Sequence, residues 1–220
     1  MLLLDPSRTR ETELAVEPQR FVFDKADWAL YEHVSQTLQN RHVFITFYKG
    51  RLEIVTVSLL HERIAGLMST LIRVLAEETD TPLCGAGAVT LRREEMDVGV
   101  QADTSFYIVN EERMRGKKEL DLTVDPPPDL AVEVEVTHRL GERKTIYQEL
   151  GVPEVWRYFE GRLMVLVKKG EMYELVDRSP TFPQISPEEF AGFVAAGLTQ
   201  NETVLTKAFR RRVREILGTP

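Results

Sequence analysis

Two carboxylates, Glu133 and Glu135, stand two residues apart in the alternating run Leu130-Ala-Val-Glu-Val-Glu-Val-Thr137. The alternation predicts a strand over 130–137, whose successive side chains point to opposite faces. Val132, Val134 and Val136 then share one face, and Glu133, Glu135 and Thr137 the other. Valine-backed strands normally lie inside a sheet, where unpaired charge is costly. A cation, a proton or a metal must neutralise the pair. Lys144, just beyond this strand, is the obvious protein cation. One lysine does not balance two acids, which leaves room for a metal.

Asp103 offers a third acid, midway along the core-like stretch 98–109. Magnesium, or manganese in its place, takes a few carboxylates together with water and phosphate oxygens. Asp103 and Glu133 are the candidate ligands. A metal held there would activate water and stabilise the charge of a phosphodiester being cut. Lys144 and Gln148 are four apart and share a helix face. If that face overlooks the acids, Lys144 can assist the water, with Gln148 and Glu135 as auxiliaries. Glu62, in the first turn of a long helix, is a further acid that could orient water or metal. Each residue also has an ordinary reading: a hydrogen-bonded aspartate, a solvated helix lysine, a glutamate favouring the helix dipole.

Other chemistries fit less well. His138 has no second histidine at ligand spacing, which argues against zinc. There is no Gly-rich phosphate loop and no nucleophile elbow. Two acids at adjacent same-face positions cannot flank a glycosidic bond. The basic run Lys207, Arg210, Arg211, Arg212 and Arg214 reads as the wet face of a terminal helix, with Val204, Leu205, Phe209, Val213, Ile216 and Leu217 inside.

The elements that must position these residues follow from periodicity. Residues 1–19 have no clear period and read as an arm. Asp24 is the expected cap of a helix running to about Gln39. A hairpin over 42–48 and 51–56 turns at Lys49-Gly50. Ser58 caps a long helix over 59–78, buried through Ile64, Leu67, Met68, Leu71, Ile72 and Leu75. Strands are expected over 81–92 and 98–109, then a polar loop to Asp125 with an exposed charged segment, 111–119. After the central strand and the helix carrying Lys144, a meander over 154–159, 162–167 and 171–176 precedes helices over 187–195 and 201–217. Strands and helices mix without strict alternation, so the fold class is α/β with a partly antiparallel sheet. The division expected is an arm (1–19), one domain (20–195) and a C-terminal helix (196–220).

Composition bounds the rest. With 220 residues, 43% hydrophobic and 29% charged, the chain can bury a real core. Its net charge of −7 argues against a general nucleic-acid coat but allows a local basic groove. The lone cysteine, Cys84, excludes an internal disulfide. Neither a signal peptide nor a membrane span is expected, and the chain reads as cytoplasmic.

Several segments together resemble a bacterial restriction-endonuclease-like family of the PD-(D/E)XK nuclease superfamily. They are Gly50-Arg-Leu-Glu-Ile with His61-Glu-Arg-Ile, Gln101-Ala-Asp-Thr-Ser-Phe-Tyr, Pro128-Asp-Leu-Ala-Val-Glu-Val-Glu-Val-Thr, Lys144-Thr-Ile-Tyr and Gly151-Val-Pro-Glu-Val-Trp. The resemblance covers roughly residues 20–195. It implies a mixed central sheet flanked by helices and a magnesium-dependent endonuclease acting on DNA, possible as a homodimer. Asp103 and Glu133 match the family's motif acids, Lys144 a lysine on the following helix, and Glu62 an acid on the first core helix. Two positions depart from the pattern. Ala102 stands where proline usually precedes the aspartate, and Glu135 stands where the superfamily usually has lysine. Three converging acids would raise at least one pKa, and metal would reverse that. The alternative is a degenerate nuclease-fold module that binds nucleic acid or a protein partner.

Overall fold

The computed structural model describes residues 19–38, 43–135 and 141–219. Its strands form two sheets. The first is wholly antiparallel and comprises β1 (Arg20–Asp24), β3 (Arg51–Thr56), β2 (Val43–Tyr48), β6 (Val98–Gln101) and β5 (Thr90–Arg93), in that spatial order. The second runs β11 (Met172–Val176), β10 (Arg162–Lys169), β9 (Glu154–Phe159), β8 (Leu130–Glu135), β7 (Thr104–Tyr107), β4 (Cys84–Gly85). Among the described strands, only β8 and β9 pair in parallel. They are joined by a crossover through helix α4 (Gly141–Glu149), as parallel neighbours require.

The β2–β3 hairpin turns on Lys49 and Gly50, both at positive φ, the geometry that matches strand twist. Helix α2 (Leu59–Glu78) starts where Ser58 accepts the His61 N–H. Its apolar stripe joins α5 (Pro187–Gly197) and α6 (Glu202–Leu217) against one face of the second sheet, made by Val132, Val134, Trp156 and Tyr158. The opposite face, with Ala131, Val155 and Leu166, packs on Ile146, Tyr147 and Leu150 of α4 and on Leu91, Val98 and Val100 of the first sheet. Glu133 belongs to this second face, between the sheets, and is buried.

The fold corrects several sequence expectations. Residues 20–24 form strand β1, so α1 (Trp28–Thr37) starts later, capped by Asp27 instead of Asp24. The stretches 81–92 and 98–109 each break into two short strands, because the chain changes sheet within each, over residues 86–89 in the first and at Ala102-Asp103 in the second. The segment 111–119 is not wholly exposed: Glu111–Met114 is a helical turn (α3) whose Glu111 and Met114 are buried. Val204 faces solvent, while Leu205, Phe209 and Val213 make the inner stripe of α6. The arm as far as residue 18, the strand end with Thr137, and His138 lie outside the described residues.

Candidate active site between the two sheets

Asp103 occupies the two-residue passage from β6 to β7. Its N–H donates to Val132 O at 3.2 Å, and its Oδ2 accepts the Val134 N–H at 2.5 Å. Asp103 therefore touches the β8 backbone on either side of Glu133, with its N–H at Val132 and its carboxylate at Val134. The residue before it, Ala102, donates its own N–H to Val89 O at 3.3 Å. Proline has no N–H, so this strand end uses a bond that a proline at 102 could not make.

Glu133 points the other way, toward α4. Its Oε1 accepts from Arg143 Nη2 at 2.7 Å and from the Tyr147 hydroxyl. Arg143 also donates to Gln101 O at 2.6 Å and Thr46 Oγ1 at 3.3 Å, and lies over the Phe44 ring. One guanidinium thus ties α4 to β2, β6 and β8. Burial is the largest influence on the Glu133 carboxyl and pushes it up to about 7, with Arg143 opposing and the Asp103 charge adding. Burial works against the Arg143 charge, but Glu133 and its neighbours outweigh it and hold the guanidinium protonated. Burial and then the Glu133 charge push the Tyr147 hydroxyl well up, so it acts as a donor.

From the first turn of α2, His61 sets Nε2 3.2 Å from Asp103 Oδ2 and tilts against Phe44. Burial lowers its pKa, but the Asp103 contact, helped by Glu133 and Glu62, outweighs that and raises it. Among the described residues, the donors that reach the two acids all fall on Asp103 Oδ2 and Glu133 Oε1. Each acid keeps one oxygen that no described donor reaches. That donor set suits a hard divalent cation, which needs only one or two carboxylates beside water and phosphate. No group of three His, Cys, Asp or Glu side chains suited to a metal occurs among the described residues, so such a cation would depend on these two acids alone.

Other buried acids are occupied structurally. Asp129 accepts from the N–H groups of Ile108 and Asn110 and from the Asn110 side chain. Glu154 accepts from Trp156 Nε1 and Thr181.

The remaining sequence candidates stand at the margin. Glu135 does not join the other two acids: Arg157 holds both its oxygens, at 2.7 and 2.5 Å. The raised Glu133 pKa therefore comes from burial and Asp103, with no contribution from a third acid. Lys144 is half-buried, and Gln148 reaches Met172 Sδ on β11. The helix pair that faces Glu133 is Arg143 and Tyr147, one position earlier. Glu62 is exposed, and α2 delivers His61 instead. Arg143, Tyr147 and His61 were missed, although 143 and 147 show the same four-residue spacing as 144 and 148.

The model of a family described as "Uma2: Putative restriction endonuclease" matches residues 28–199. A similar solved structure is the crystal structure of "a putative nuclease belonging to DUF820" from Anabaena variabilis. It is 14% identical, with 68% of this chain and 90% of that chain covered and a TM-score of 0.49. Among curated proteins, none matches the chain. The family match spans well over half of the chain and includes Asp103, Glu133 and the Arg143–Tyr147 face of α4, so the chain belongs to the Uma2 family of restriction-endonuclease-like proteins.

Proposed function

We propose that the chain is a metal-dependent endonuclease that hydrolyses DNA phosphodiesters, with Asp103 and Glu133 holding magnesium or manganese. The observation that carries this reading is a pair of acids, Asp103 in the β6–β7 passage and Glu133 on β8, near enough for the Asp103 charge to act on Glu133 and each with an oxygen that no described donor reaches. A bound metal supplies Lewis acidity and a water of lowered pKa. The chain's own residues prepare that seat. Arg143 and Tyr147 fix Glu133 through Oε1, and His61 with the Val134 N–H fixes Asp103 through Oδ2. Lys144, beside Arg143 on α4, is the proposed helper for the attacking water. Glu62 is assigned a lesser part, its charge adding to those that raise the His61 pKa.

Titration calorimetry with magnesium and manganese, with plasmid nicking alongside, tests this on the wild type, Asp103→Asn and Glu133→Gln. Metal-dependent nicking by the wild type, lost together with metal binding in folded variants, is the expected result. A folded wild type that binds neither metal sinks the proposal. Binding without cleavage is the second reading. It is favoured by Arg143, a protein cation already seated on Glu133, and metal-independent DNA binding by the wild type would support it.

A further inference from the structure

Strand β1 is an open edge of the first sheet, with β3 on one side and no described strand on the other. All five of its residues are exposed, including Phe21 at 49%, Val22 at 37% and Phe23 at 48%. Edge strands are ordinarily blunted by a lysine, a proline or a bulge within the strand. Arg20-Phe-Val-Phe-Asp24 has none of these, and its charges stand only at the two ends.

The phase of the backbone is set by the Thr56 N–H, which donates to Gln19 O at 2.9 Å. In an antiparallel ladder alternate residues bond to one neighbour. Gln19, Phe21 and Phe23 therefore bond to Thr56, Ile54 and Leu52, and the N–H and C=O groups of Arg20, Val22 and Asp24 point to the open edge. Read in either direction from Val22, the strand is chemically self-complementary. An antiparallel second copy centred there sets Arg20 of each copy, whose guanidinium already pairs with Glu53 on β3, against Asp24 of the other, and Phe21 against Phe23. The outward-facing residues fall into hydrogen-bonded pairs, and the phenylalanines into the closer pairs between them. A parallel copy in register would instead set Arg20 against Arg20.

We propose that β1 is a self-association surface whose partner is a second copy of this chain, joined antiparallel about a two-fold axis through Val22. The two first sheets become one continuous sheet. The contact is isologous, and a surface this small predicts a weak, concentration-dependent dimer. This inference stands apart from the nuclease reading, and its test does not involve activity.

The full-length protein is followed by sedimentation equilibrium across a wide concentration range. Val22→Pro deletes an outward N–H that β3 does not use. Val22→Lys sets two lysines face to face across the two-fold, while within one copy the lysine stands opposite Glu53, which Arg20 already holds. The wild type is expected to dimerise with concentration, and both variants to stay monomeric with unchanged circular dichroism. An equimolar mixture of Val22→Lys and Val22→Glu is expected to re-associate, with the circular dichroism of Val22→Glu checked first because its glutamate stands opposite Glu53. A wild type monomeric throughout, folded variants that dimerise as the wild type does, or a mixture that stays apart would each overturn the assignment.

Discussion

Arg143 shows how much one residue can hold. It neutralises Glu133 and bonds to two further strands. Removing one member of a buried pair strands the other charge, at a cost of about 3–5 kcal/mol. Arg143→Ala is expected to lose stability on that scale in urea unfolding, and Arg143→Lys to lose less. The raised Glu133 pKa carries a pH signature. The folded state binds this proton more tightly than the unfolded chain, so the contribution is complete below the ordinary value of 4.5 and is lost as pH rises through about 7. Between those limits metal-free wild type is expected to lose stability, relative to Glu133→Gln, as pH rises. Parallel pH profiles of the two proteins would refute the shift. The acids themselves were legible in the sequence, because charge on a valine-rich strand calls for a partner. The partners were not, because each helix step turns a side chain by about 100° and only packing decides which residue faces inward. Ile146, Tyr147 and Leu150 bury together, and that choice brings Arg143 rather than Lys144 to Glu133.

Among the elements, strong periodicity gave accurate limits. Helix α2 and the β2–β3 hairpin match their expected spans within a residue, since caps and turn residues mark their ends. Ser58→Ala is expected to cost about 1 kcal/mol by removing the α2 cap, measurable by chemical denaturation. The stretch 98–109 hid its change of sheet, because a chain leaving one ladder for another keeps an extended, apolar pattern. Gly99 is the local clue. A Cβ there would stand 2.2 Å from the Tyr31 hydroxyl oxygen, so β6 can lie over α1 only without a side chain. Gly99→Ala is expected to destabilise by about 1–3 kcal/mol through overpacking, and a neutral result in urea would contradict that tight contact.

At the scale of the molecule, α6 is part of the core rather than an appendage. Phe209 is fully buried and meets Phe190 and Phe193 edge to face, and Arg210 and Arg214 reach back to Glu78 at the end of α2. Phe209→Ala is expected to cost about 3–5 kcal/mol. Its melting would show whether α6 unfolds with the rest or alone. In the basic run of α6, Arg210 pairs with Glu77 and Glu78, Arg214 with Glu78 and Arg212 with Glu189. Among the described residues, no helix is long and apolar enough to cross a membrane.

The passage through Ala102 and Asp103 also leaves the Val134 N–H with an aspartate side chain as its acceptor instead of a strand carbonyl. The solvent exchange of that one amide proton therefore follows the position of the Asp103 carboxylate, not just the integrity of the sheet. In Asp103→Ala the Val134 amide would exchange quickly while neighbouring β8 amides stayed slow. A divalent cation seated on the other Asp103 oxygen, with Oδ2 still held, would leave that amide slow in the wild type, a result readable without substrate or turnover.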